Sequence, residues 1–334
     1  MSSVLVAVAA LLLSAGFVYF ACEYFVNGVE WFGRKAGVSQ TAVGTVLAAF
    51  GTALPESVVT FVAVVFGRDG PAKDIGVGAA LGGPLVLATI AYPIVGIMLL
   101  ITRSQRARAP IELNRQRLSR DQSWFLLIFA CKIALGFLVF AAKPALGWLF
   151  LVAYGLYTWS EMRSEGDEPE GELEPLKFRP GAAEPGWTAT VFQTVLAVVV
   201  IFVASRVFVG QLEVVGSWLG IPATVIALLF SPIATELPET MNAIIWIRQG
   251  KHRLALSNIS GSMMVQATVP TALGLLFTPW LFDGPLTVAG IVTAVAIGGL
   301  LALLRRNALT PVRLALFAVF YLVFALGTWL IVAG

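Results

Sequence analysis

Charge is scarce in this chain. Of its 334 residues only 12% are charged, divided between 22 Lys or Arg and 19 Asp or Glu. So few charges cannot coat a water-facing globule of this length, and 58% hydrophobic residues with a mean hydropathy of +0.87 call for a solvent other than water. Soluble enzymes, secreted disulfide scaffolds and nucleic-acid binders are excluded on that ground. Cysteine is equally sparse: Cys22 and Cys131 both fall inside apolar runs, where they are expected as reduced core residues. The one histidine, His252, lies between Lys251 and Arg253 in a loop and is expected at the surface. No nucleophile is paired with a base, so the chain is not expected to be an enzyme. The net charge of +3 reads as a report of membrane orientation and not of a nucleic-acid partner.

What the chain does have is apolar length. Runs near 3–26, 38–66, 75–101, 122–142, 144–162, 188–210, 220–247, 254–280, 285–304 and 310–333 are each suited to crossing roughly 30 Å of hydrocarbon. This predicts an all-α polytopic membrane protein with ten transmembrane helices and the lipid bilayer as its immediate surroundings. The first run starts Met1-Ser2-Ser3 without a basic flank, and no cleavage site precedes Glu23, so a retained helix is expected instead of a signal peptide. Alternating the loops collects 17 of the 22 basic residues on one side, among them Arg34, Lys35, the six arginines from Arg103 to Arg120, Arg305 and Arg306. By the positive-inside rule that side is cytoplasmic, which places the protein in the plasma (inner) membrane with both termini outside. The longest loop, 163–187, is rich in Glu, Pro and Gly and reads as an acidic cytoplasmic linker, a flexible tether between a first repeat, 1–162, and a second, 188–334.

The two halves repeat each other. At an offset of 183, Glu30, Gly33, Gly37 and Thr41 fall on Glu213, Gly216, Gly220 and Thr224, and Thr52-Ala53-Leu54-Pro55-Glu56 falls on Thr235-Glu236-Leu237-Pro238-Glu239. Because five spans per half is odd, the second copy enters from the opposite side, giving two inverted five-helix repeats, an arrangement typical of alternating-access transporters. Both matched clusters sit inside apolar runs of about 28 residues with Pro in the middle, and both helices are expected to break there. Carbonyls freed at a break, together with Thr hydroxyls and a carboxylate, are the hard oxygen ligands that sodium and calcium prefer.

Glu56, Glu236 and Glu239 lie near mid-span, where an ionised carboxylate is costly unless it is paired, protonated or bound to a cation. Glu56 and Glu239 are repeat mates, and a twofold axis can bring them together to share a proton or a divalent ion. Glu236 either faces the same site or points away on its helical turn. Asn258, Ser262 and Gln266 recur every four residues, lining one helical face with oxygen, whereas the first half has Ala79, Gly83 and Leu87 at the matching places. Lys132, also mid-span, either stands in for a bound monovalent cation or plays a structural part. Glu23 and Arg206, nearer span ends, read as structural.

Gly51-Thr52-Ala53-Leu54-Pro55-Glu56 resembles the G-T-S-L-P-E signature of sodium/calcium exchangers, and Ala234-Thr235-Glu236-Leu237-Pro238-Glu239 is its degenerate partner. The stretches from Asp74 to Pro84 and from Ala255 to Gln266 resemble the segment that follows the signature in each alpha repeat, so the likeness covers nearly the whole chain. The resemblance implies a cation/calcium antiporter with Glu56 and Glu239 as central cation ligands. Thr52, Thr235 and Ser262 match further ligand positions, and Gln266 falls where the family has a polar or acidic residue. The cations, calcium, sodium or protons, are cargo; no resident cofactor and no obligatory protein partner are implied. This chain departs from the pattern at Ala53, Glu236, Ala79, Gly83 and Leu87, which removes oxygens expected for sodium and adds an acid. Calcium extrusion in exchange for sodium is the main expectation, with calcium/proton antiport on the same scaffold as the alternative.

Overall fold

Among the described residues, each apolar run is helical over most of its length. A computed structural model describes residues 2–65, 71–102, 110–111, 113–163, 173–220 and 229–333. In chain order these form α1 (Ser2–Ala36), a π-helical segment (Val43–Ala48) leading into α2 (Ala49–Val65), and α3 (Pro71–Val86), which runs through a second π segment (Leu87–Ala91) into α4 (Tyr92–Thr102). Then come α5 (Arg115–Gly136), α6 (Gly147–Arg163), α7 (Trp187–Trp218), α8 (Ser231–Thr235), α9 (Leu237–Arg248), α10 (His252–Phe277), α11 (Gly284–Arg305), α12 (Pro311–Ala315) and α13 (Ala318–Ala333). Six stretches among the described residues have both the length and the apolarity to cross a membrane: Leu5–Ala36, Ala80–Thr102, Trp187–Trp218, His252–Phe277, Gly284–Arg305 and Pro311–Ile331. Their outward residues, such as Leu12, Phe17 and Phe20 on α1 and Leu322, Leu326 and Leu330 on α13, are large, apolar and exposed, as a lipid-facing surface requires.

The offset of 183 reappears in the backbone. Gly37 and Gly220 follow the ends of α1 and α7 with φ of 67° and 73°, a left-handed conformation that glycine adopts without a Cβ penalty. Helices α1 and α7 pack side by side, with Gly28 set so close to Thr194 that a Cβ there would stand 2.5 Å from Thr194 Oγ1. At the centre is α10, buried without interruption from Leu254 to Thr268 and packed against α2, α3, α5, α6 and α9. It crosses the first π segment through Gly261, where an added Cβ would lie 2.2 Å from the Thr45 carbonyl oxygen, so only a glycine permits that approach.

Several buried polar contacts tie the ends of the helices together. Glu161, at the end of α6, accepts from Arg117 Nη2 (2.8 Å), Arg117 Nε (3.0 Å), Arg120 and Thr45 Oγ1 (3.3 Å). Removing one partner from such a buried cluster leaves charge uncompensated, at a cost of about 3–5 kcal/mol. Glu161→Gln is therefore expected to lower the melting temperature of the protein in detergent micelles by several degrees, which a thermal unfolding scan would register. Glu30 on α1 similarly accepts from Lys251 and from Trp246 Nε1 (2.8 Å).

Four sequence expectations need correction. His252 is buried at the first turn of α10, since the neighbouring Lys251 turns inward to pair with Glu30. Cys131 is exposed, on the outer side of α5, while Cys22 is buried; both are free. Residues 173–179 are a docked strap and not a free tether. The carbonyls of Glu174 and Pro175 accept from Asn27 and Trp31, Leu176 is fully buried, and Lys177 N–H donates to Asn27 Oδ1 (3.0 Å). The rest of the acidic run, 164–172, lies outside the described residues. Finally, α2 continues through Pro55 instead of breaking; the irregularity sits about two turns upstream, in the π segment, whose wider turn shifts the carbonyls out of register. Leu229 and Phe230, matched by the repeat offset to Val46 and Leu47, are π-helical as well.

Candidate cation site

In the second repeat the helix is interrupted at the signature. Pro238 cannot donate a backbone N–H, so α9 starts afresh at Leu237, and Glu236 occupies the turn between α8 and α9 with φ −87° and ψ 7°. Off the helix, Glu236 is released from the angular relation to Glu239 that an unbroken turn imposes. Its side chain is fully buried and reaches α10, where Gln266 Nε2 donates to both carboxylate oxygens at 2.8 Å.

Glu239 follows on the first turn of α9, almost entirely buried. Its carbonyl oxygen accepts from Asn258 Nδ2 at 3.4 Å, which joins α9 to α10. The neighbouring Pro238 carbonyl accepts from Cys22 Sγ at 3.7 Å, bringing α1 to the same turn. Asn258, Ser262 and Gln266 are all buried along α10. Asn258 Oδ1 and Ser262 Oγ have no hydrogen-bond partner among the described residues. Leaving a buried oxygen unpaired costs about 1–3 kcal/mol, so two such oxygens on one helical face are candidate ligand atoms.

Thr52 is buried on α2 and donates to the Ala48 carbonyl at 3.1 Å, which orients the hydroxyl while leaving its lone pairs for a cation. Thr235 donates in the same manner to the Pro232 carbonyl at 3.1 Å, but is only half-buried. Glu56 lies on α2, one turn after Thr52; its side chain is outside the described residues. Among the described residues no three His, Cys, Asp or Glu side chains cluster.

The first repeat's missing side chain at Gly83 has a local explanation. A Cβ at Gly83 would stand 2.5 Å from Gln266 Oε1 and 2.9 Å from Glu236 Oε1. The Gln266–Glu236 pair fills the room that a larger residue would need. Both offending atoms are ends of flexible chains, so Gly83→Ala is expected to leave the melting temperature within a few degrees of the parent. It should nevertheless displace the pair and slow cation flux about tenfold, the equivalent of 1.4 kcal/mol. Gln266→Ala on top of Gly83→Ala should recover much of that loss, and flux measured on the three variants would expose the coupling.

Sequence reasoning missed Asn242. It lies three residues after Glu239 on α9, is fully buried, and neither atom of its carboxamide has a partner among the described residues. The Glu-x-x-Asn spacing, which puts both residues on one helical face, was the available signal. Lys132 on α5 is also fully buried; its Nζ donates to the Ala80 carbonyl at 2.6 Å and lies 5.1 Å from the centre of the Phe129 ring. Glu23 makes a half-exposed ion pair with Lys177 at 3.7 Å, and Arg206 stacks over Phe202, both structural contacts.

The family described as sodium/calcium exchanger protein matches residues 6–162 and 189–330. A protein of Alkalimonas amylolytica described as an antiporter, CaxA, is 28% identical over 315 residues, covering 91% of this chain and 90% of that one. The sodium/calcium exchanger MaX1 of Methanosarcina acetivorans is 26% identical, over 80% of this chain and 82% of its own. A solved structure of the sodium-calcium exchanger NCX_Mj, soaked with sodium and strontium, matches with a TM-score of 0.75 and 21% identity over 96% of this chain and 97% of that one, a likeness of fold.

Proposed function

The chain belongs to the sodium/calcium exchanger family, whose members are membrane transporters and not enzymes, and from that premise we propose that it is a secondary antiporter extruding calcium in exchange for sodium. The observation that carries the reading is the pair of buried oxygens, Asn258 Oδ1 and Ser262 Oγ, without partners among the described residues on the helix that packs against α2 and α9. Glu239 and Glu56 supply charge to the cation, Thr52, Thr235 and Ser262 supply hydroxyl oxygens, and Asn258, Gln266 and Glu236 complete the lining. Calcium takes six to eight oxygens, a number that two bidentate carboxylates with these neighbours can approach. The basic loops face the cytoplasm and both termini face outward, as the loop asymmetry supports.

A second reading has its own observation. Glu236 brings a further buried carboxylate into the site, hydrogen-bonded through both oxygens, and a carboxylate that can take up a proton supports calcium/proton exchange. Purified protein in liposomes, given radioactive calcium under a sodium gradient, a proton gradient or neither, separates the two. Sodium-driven uptake is the expected result. Uptake driven only by protons would replace the sodium assignment, and the absence of uptake under every gradient would defeat both.

A further inference from the structure

Pro84 lies inside α3 and has no backbone N–H, so the carbonyl four residues earlier, that of Ala80, loses its intrahelical donor. At membrane depth such a carbonyl is a ready ligand for a cation. The cation it meets belongs to the protein: Lys132 Nζ, from α5, donates to it at 2.6 Å, in a fully buried setting over the Phe129 ring. Ala80 and Gly83 are three residues apart on one helix, hence on one face, and Gly83 is the residue that abuts Glu236 and Gln266. The ammonium is thereby held on the helix whose Gly83 abuts Gln266 and Glu236, in the repeat that has Ala79, Gly83 and Leu87 at the places matched in sequence by Asn258, Ser262 and Gln266.

We propose that Lys132 is a tethered cation occupying a monovalent-cation position of the transport site, so that the protein takes up one fewer free counter-cation per cycle. The inference rests on the antiporter reading. Two features favour it over simple capping of a carbonyl. A neutral donor such as Ser or Gln caps a carbonyl without the cost of burying a charge within the membrane, so the charge itself calls for a reason. The positive charge also sits on the helix that has Ala79, Gly83 and Leu87 where the second repeat has oxygen-bearing side chains, and whose Gly83 abuts the buried Glu236 carboxylate.

The test is thermal melting of the detergent-solubilised protein, titrated with sodium chloride against choline chloride at constant ionic strength and without calcium. Lys132→Met keeps the length of the stem and removes the charge. It should melt about 5 °C below the parent in choline, and sodium should close most of that gap by entering the vacated position. Adding Pro84→Ala returns an N–H to position 84 and gives the Ala80 carbonyl its own donor. The double variant should then show a small gap that sodium does not change. A gap for Lys132→Met that ignores sodium, or no gap at all, would overturn the proposal in favour of capping alone. So would a Lys132→Met protein that cannot be isolated in either salt while the double variant folds. Isolation in sodium but not in choline would support it. None of these readings needs transport, so a protein that moves no calcium in liposomes would defeat the antiporter assignment without obscuring this result.

Discussion

Calcium uptake is expected to fall at least about a hundredfold in Glu239→Gln, with the protein still folded and inserted. The substitution keeps the side chain's volume and removes one negative charge and the capacity for bidentate coordination. Losing about 3 kcal/mol of cation binding corresponds to a factor of that order. The fold should tolerate it, because the backbone contacts at this turn are retained: the Glu239 carbonyl accepts from Asn258 and the Pro238 carbonyl from Cys22. Glu56→Gln is expected to match it, since the repeat relates the two positions. Radioactive calcium uptake into liposomes, with size-exclusion profiles to verify folding, measures both effects. Normal transport in either variant would remove that residue from the site and with it the twofold reading.

The contrast between Glu239 and Glu236 shows where the sequence stops being readable. Glu239, one residue past a proline at the start of a helix, has a direction that helical geometry supplies, and burial of a mid-span acid follows from the cost of exposing it to lipid. Glu236 sits in a turn, and its direction depends on the distance from α9 to α10, which no local pattern encodes. Lys132 was visible as a costly charge, but it donates to a backbone carbonyl on another helix, freed by a proline 48 residues earlier in the chain. The helices themselves, and the offset of 183, were legible because apolar length and repeated glycines are properties of the string. The strap was not: its acidic composition suggests a solvated tether, yet its anchorage uses backbone carbonyls and one leucine. Cys131 likewise sits on a helix whose apolar residues face lipid as well as core, and composition does not separate the two.

Glu236→Ser should show the largest change in coupling, because Glu236 is the acid on which the two proposed counter-ions make opposite demands. Its carboxylate is held by Gln266 through both oxygens and adjoins Gly83, so it is a buried, anchored acid and not a solvated one. If sodium drives the exchange, the acid is a charged wall element, and its removal should leave sodium-driven calcium uptake present while raising the sodium concentration needed for half-maximal rate about tenfold, one factor of 1.4 kcal/mol. Uptake driven by a proton gradient should be small in the parent and unchanged in the variant. If protons drive the exchange, Glu236 is the group that carries them, and Glu236→Ser should abolish proton-driven uptake while the protein continues to bind calcium. Gln266 distinguishes the fold's need from the ion's: Gln266→Ala removes the Nε2 donor and leaves the carboxyl group in place, so a proton-coupled protein keeps its dependence on the pH gradient and a sodium-coupled one keeps its dependence on sodium. Rates measured for the parent and both variants under each gradient assign the counter-ion through the residue whose removal abolishes the drive.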